Sequence, residues 1–251
     1  MNHKDIKQAF ETFYLANKID FDERRHEYKL DGVICAGISS ISEYRPKNWM
    51  PAWGANMAVG YIQKKILEAE TGTVLDNLSQ WIEEARKAHC KRKTDAGDWG
   101  TKMHELVEKN IKGEEQEIPE THKKSFENFL EWVEKNKVKF LESEKNIYSE
   151  KLWLGGIVDF VCEIDGEVWI GDIKTAKSGI YPEHFWQCAG YQLMLQEMGL
   201  YPNVKGYIIL NLKQDGKVLE KRSISNGDNT KAFLACLDIY RIKEKIKNQI
   251  I

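Results

Sequence analysis

The residues of this chain best suited to chemistry are Asp159, Asp172 and Lys174, in the segment 155–177, GGIVDFVCEIDGEVWIGDIKTAK. Two β-prone runs flank Asp165-Gly166, the dipeptide that most favours a two-residue hairpin turn. With those residues as the loop, Ile164 pairs with Glu167, and the same register sets Asp159 opposite Asp172. Lys174, two residues on, points from the same face. The rest of that face is Ile157, Val161, Val168 and Ile170, and the other face is Val158, Phe160, Cys162, Trp169 and Ile173. A hairpin apolar on both faces is expected to be buried on both. Like charges across a strand pair repel, and buried unpaired carboxylates are costly or shift their pKa. A divalent cation between the aspartates removes that conflict. A Lys–Asp pair that satisfies itself at a sheet end is the structural alternative. A turn longer or shorter by one residue would separate the aspartates onto opposite faces.

The elements that must position these groups follow from the rest of the pattern. A helix is expected around 4–17, then a hairpin of 26–30 and 33–37 about Asp31-Gly32. A helical stretch carries Trp49, Trp53, Met57, Tyr61 and Ile66. The next helix, about 79–93, ends in RKAHCKRK, the densest basic cluster, with Lys91, Arg92 and Lys93 at its end. Such a run is either a solvated helix end or a phosphate contact. The segment 98–113, DWGTKMHELVEKNIKG, reads as a separate helix with Asp98 as N-cap and Gly113 just past its end. His104 and Glu108 share a face there, as a structural pair or as groups at a metal site. A helix over 122–139 turns Phe126, Phe129, Leu130 and Val133 inward, and a strand near 146–154 leads into the central hairpin. Pro182 begins a helix that stops at Gly199, with Gln187 and Tyr191 as i,i+4 neighbours. Strands at 204–212 and 217–224 and a closing helix at 228–248 complete the chain.

Composition excludes several classes. The net charge of 251 residues is −2, so a nucleic-acid site must come from local clustering of basic residues. The five cysteines, Cys35, Cys90, Cys162, Cys188 and Cys236, are scattered, with no CxxC and no secretory leader, which points to a reducing compartment. No apolar run approaches a membrane span. A cytoplasmic protein without a membrane partner is expected.

The order of motifs is specific. GxxxHxxxE (Gly100, His104, Glu108), GxxDF (Asp159), DxK followed by Thr (Asp172, Lys174, Thr175) and QxxxY (Gln187, Tyr191) occur in that sequence. Together they resemble the PD-(D/E)XK nuclease superfamily, and within it the RecB-like exonuclease branch. The hairpin ending in GISSIS (37–42), followed by a tryptophan-rich helix, is similar to phage-encoded and mitochondrial-genome-maintenance members. The resemblance covers roughly residues 26–212. It implies an α/β fold: a restriction-endonuclease-like central mixed β-sheet flanked by helices, with a helical N-terminal elaboration. Residues 1–95 would be the N-terminal hairpin and elaboration, and 96–251 the nuclease core.

By the same resemblance Asp159 and Asp172 are metal ligands, with the main-chain carbonyl of Ile173 completing part of the shell and His104 approaching the metal. Lys174 is the catalytic lysine. Glu108 matches a glutamate one turn after the histidine; Gln187 and Tyr191 match the motif that steadies the site and contacts DNA. Thr175 and Lys177 are supporting or DNA-binding positions, and Glu144 resembles a further acidic position. Oxygen ligands with one imidazole suit Mg²⁺ or Mn²⁺ better than Zn²⁺. Some relatives hold an iron–sulfur cluster; no such cysteine spacing exists here, so none is expected. Near a cation and desolvated, Lys174 is expected to have a depressed pKa. The implied activity is metal-dependent hydrolysis of DNA ends, single-stranded or duplex, in phage-type recombination, repair or processing. An endonuclease of the same superfamily and a non-catalytic nucleic-acid-binding module are the alternatives. The helical N-terminal half could wall the site, with 86–93 on it and Trp81 or Trp99 stacking on bases.

Overall fold

The computed structural model describes residues 18–42, 50–69 and 73–247, apart from the side chains of Leu75, Lys91 and Lys93. The helix expected around 4–17 and Trp49 lie outside the described residues. Contacts divide the chain into two compact units, one of residues 1–44 with 103–251 and one of residues 45–102.

The larger unit is a mixed eight-stranded sheet with helices packed on it. Strands β1 (Ile19–Asp22), β2 (Glu27–Leu30) and β3 (Val33–Gly37) form an antiparallel ribbon. The turn between β2 and β3 has both central residues at positive φ, Asp31 at 49° and Gly32 at 78°, as the Asp-Gly dipeptide requires for this turn. Helix α1 (Ile38–Ser42) follows. The core strands are β4 (Lys139–Ser149), β5 (Leu154–Ile164), β6 (Glu167–Lys174), β7 (Gly206–Leu212) and β8 (Val218–Ile224), in the order β3-β5-β6-β7-β8 with β4 also paired to β5. β3 joins β5 in parallel over Ala36–Leu154 and Gly37–Gly155, and β6 joins β7 in parallel.

One face of the sheet is covered by α1, α5 (Pro182–Glu197) and α6 (Gly227–Lys247), which bury Ile38, Met194 and Phe233 against Ile170 and Ile209. On the other lies α4 (Glu120–Lys135), whose Phe129 and Trp132 rings neighbour Phe140 and Phe160. Pro182 does begin α5, after an extended Tyr181. Beyond its end Gly199, at φ +75°, turns the chain away.

Three local expectations need correction. The helices expected at 79–93 and 98–113 are one, α3 (Val74–Lys112), so Asp98 is an exposed mid-helix residue and not an N-cap. Residues 94–97 contain no proline, and one mid-helix glycine costs only about 1 kcal/mol. Gly113 does end α3, at φ +71°, with Glu114 N–H reaching Lys109 O at 2.9 Å. In α4, Leu130 is 38 % exposed and Trp132 takes the inward place with Phe126 and Phe129. The stripe runs 122, 125, 126, 129, 132, and Leu130 falls one step, about 100°, off it. The strand expected near 146–154 is β4, which begins at Lys139 and ends at Ser149; Glu197 accepts hydrogen bonds from Ser149 Oγ and the Glu150 and Lys151 N–H groups and folds the turn back.

The smaller unit comprises α2 (Met50–Glu68) and α3 as far as Lys102. Tyr61 Oη donates to Glu84 at 2.5 Å, Trp53 meets His89 edge-on at 6.4 Å, and Arg92 lies against the Met57 sulfur. No described helix is long and apolar enough to cross a membrane.

Candidate active site

The β5–β6 hairpin has the register set by its turn. Asp165 and Gly166 both have positive φ, 53° and 76°, and pairing runs from Ile164–Glu167 to Phe160–Gly171. Gly171 is needed there: a Cβ on it would lie 1.9 Å from the Phe160 ring. Asp159 and Asp172 are next in line, where the ladder stops. At this point β5 parts from β6, and the Asp159 carboxylate crosses the gap to accept the Ile173 N–H at 2.6 Å. The site therefore sits where two neighbouring strands separate and leave room between them.

A third carboxylate arrives from β4. The β4–β5 register shifts between Phe140–Cys162 and Glu142–Val161, which makes Leu141 an extra residue. Beyond the bulge Ser143 pairs with Phe160 and Lys145 with Val158, so Glu144 lies across from Asp159. Without the extra residue Ser143 would take that place. Glu144 has φ +44°, a strained conformation for a non-glycine residue and one that clusters at functional sites. From α3, His104 Nδ1 lies 3.5 Å from Glu144 Oε1 and 3.8 Å from Asp159 Oδ2. The three groups offer ligand atoms within 4.8 Å of one another.

Lys174 completes the other side. Its Nζ lies 2.9 Å and 2.7 Å from the two oxygens of Asp172 and 3.4 Å from Gln187 Oε1. Gln187 Nε2 in turn donates to Tyr191 Oη at 2.5 Å. Both residues are buried on α5, one turn apart.

The electrostatics follow from burial. Burial pushes the carboxyls of Asp159 and Asp172 above the usual range, although His104 and Lys174 oppose the shift at Asp159, and Lys174 and His184 oppose it at Asp172. Burial lowers His104, but Asp159 and Glu144 more than reverse this and push it up to about 9. Lys174 is likewise held above its ordinary value: burial lowers it, and Asp172 and Asp159 outweigh burial. The neighbours it meets here are carboxylates, whose charge favours the ammonium form. Burial first, then the two aspartates, raise Tyr191 well above a normal phenol.

Other singled-out residues are placed elsewhere. Glu108 pairs with Lys112 one turn on and does not join the His104 cluster. Thr175 is half-buried and Lys177 exposed in the loop after β6. Arg92 is exposed on α3 in the smaller unit, and the Lys91 and Lys93 side chains lie outside the described residues. Trp81 is only 8 % exposed and offers no open stacking face.

Two residues at the site had no signal in the motifs. Burial pushes the Tyr28 hydroxyl up to about 12, and the charges of Glu144 and Asp159 add to the shift. The β3–β5 pairing brings β2 beside β5. Asn211, fully buried on β7 and paired with Lys174, is the one polar residue in GYIILNL. A lone asparagine in a buried strand is a visible signal, but its partners are not.

The donor set is hard: the carboxylates of Asp159, Asp172 and Glu144 and one imidazole, a composition that fits a divalent cation with oxygen ligands. Asp172 Oδ2, though 2.7 Å from Lys174 Nζ, is buried without an aligned hydrogen bond. An under-satisfied carboxylate oxygen at this position fits the same ligand.

A family model described as the PD-(D/E)XK nuclease superfamily matches residues 61–248. Among solved structures, the chain is similar to SSO0001, with 12 % identity and a TM-score of 0.35 over 75 % of this chain and 85 % of that one. It is similar to an alkaline exonuclease from Laribacter hongkongensis, LHK-Exo, with 15 % identity and a TM-score of 0.30 over 60 % and 86 %. The same exonuclease in complex with dAMP matches with 14 % identity and a TM-score of 0.30 over 82 % and 100 %. None of the curated proteins compared matches.

Proposed function

The chain belongs to the PD-(D/E)XK nuclease superfamily, and on that premise we propose that it is a metal-dependent DNA exonuclease of the RecB-like branch. The observation that carries this reading is the convergence of His104, Glu144 and Asp159, with Asp172 next in line on the adjacent strand and paired to Lys174. Asp159, Asp172 and His104, with Glu144 and the Ile173 carbonyl, would hold Mg²⁺ or Mn²⁺. When bound, the ion supplies a Lewis acid for the phosphoryl oxygen and acidifies a water.

The chain's own residues do the rest. Asp172 and Gln187 fix the Lys174 ammonium in the site. There it orients the attacking water and neutralises charge on the phosphate as the bond to the leaving oxygen breaks. Tyr191 holds Gln187 in the orientation that presents its carbonyl oxygen to Lys174. DNA ends are the substrate, in phage-type recombination, repair or processing within a bacterial cytoplasm.

The test is digestion of linear DNA labelled separately at its 5′ and 3′ ends, beside closed circles, in Mg²⁺, Mn²⁺ or EDTA, with Asp172→Ala as control. Loss of linear DNA only with metal, circles spared and the variant inactive, is the expected result. Cleavage of circles would replace the exonuclease with an endonuclease. A folded protein that cuts no DNA would leave a binding module in its place.

A further inference from the structure

The loop after Lys174 has an unusual distribution of hydrogen bonds. Asn211 Nδ2 donates to the carbonyls of Ala176 at 3.1 Å and Ser178 at 3.0 Å, and Lys213 Nζ donates to that of Lys177 at 3.1 Å. Three successive carbonyls are thus drawn to side chains at the end of β7. In a trans peptide the next N–H points the opposite way. The N–H groups of Lys177, Ser178 and Gly179 therefore face away from β7, and among the described residues they donate to no protein group. Residues 176–179 are exposed.

Asn211 is built for this arrangement. It is fully buried, and the two loop carbonyls are its hydrogen-bond partners among the described residues, while its Oδ1 has none. A flipped amide would set that oxygen against two carbonyls, so its orientation is fixed. Successive N–H groups facing one way form a concavity that attracts anions. The exposed Lys177 ammonium and the hydroxyl of Ser178 lie on the same loop. From Lys174 to Lys177 the chain spans at most about 10 Å, so the loop stays close to the Lys174 end of the site.

We propose that residues 175–179 form a cradle for a DNA backbone phosphate adjacent to the cleaved bond, with Asn211 and Lys213 as the positioning residues that turn its N–H groups outward. The proposal rests on the nuclease reading above and names a substrate contact for the same site.

The experiment is a binding scan with single-stranded oligonucleotides in Ca²⁺, with cleavage checked to be absent, in which one linkage at a time is a neutral methylphosphonate. For the unaltered protein, one linkage next to the cutting position should weaken binding about tenfold, the size expected for hydrogen bonds to a charged group. In Asn211→Ala that positional loss should vanish while overall Kd rises by a similar factor. Lys213→Gln, at a half-buried position, should flatten the same position partially, and it serves if Asn211→Ala does not fold. A scan profile that is unchanged in both variants, or flat in the unaltered protein, would overturn the cradle. Metal-dependent cleavage alongside that result would leave the nuclease reading standing, whereas absence of all cleavage would defeat that reading instead.

Discussion

The hairpins β2–β3 and β5–β6 turn on the same Asp-Gly dipeptide, with all four turn residues at positive φ, yet they are used differently. In the first, Val33 and Ile34 are 56 % and 59 % exposed, and β3 meets the rest of the sheet over two residue pairs. The second lies between β4 and β7, and nearly all of its strand residues are buried or half-buried. Turn chemistry sets register in both. Only the central position removes water from the charged residues, so that Asp159, Asp172 and Lys174 interact strongly with one another and with a ligand.

The comparison can be broken at its strongest point first. Lys174→Ala should lower DNA cleavage on the order of 10³-fold, with the circular dichroism spectrum retained, whereas Lys29→Ala on the outer hairpin should leave the rate within about twofold. Equal losses would refute the division of labour. Next in size, Gly171→Ala must displace the Phe160 ring and should cost about 3 kcal/mol in urea unfolding. Gly32→Ala meets open space and only the strain of φ +78°, about 1 kcal/mol. A Gly32 cost as large as that of Gly171 would show turn strain to dominate over packing. Gln187→Ala, which removes a partner of Lys174, should reduce cleavage roughly 10–100-fold, with Tyr191→Phe following in the same direction to a lesser extent in the same assay. Smallest of all, Val33→Thr and Ile34→Thr should change stability by less than about 0.5 kcal/mol and leave cleavage unaffected.

Much of this was legible because it is local. Asp165-Gly166 sets two dihedral pairs, and those fix the register through Phe160–Gly171 without reference to anything distant. Pro182 and Gly113 mark helix boundaries by the same kind of local constraint. The i,i+4 spacing of Gln187 and Tyr191 likewise set their hydrogen bond. The continuity of α3 was not legible, since one glycine and an aspartate carry too small a penalty to decide between one helix and two.

The sequence by itself determined which residues share the face of the central hairpin, and that two carboxylates and an ammonium lie on it. Tertiary structure alone decided that β5 would part from β6 at Asp159, that the Leu141 bulge would bring Glu144 into line, and that His104 would close over both. It also decided that Asn211 would reach back to the loop after Lys174. Those outcomes depend on pairings between segments tens of residues apart, whose free energy comes from packing the whole sheet and its helices. No dipeptide or spacing encodes that sum, whereas a turn's dihedral angles are encoded in two residues.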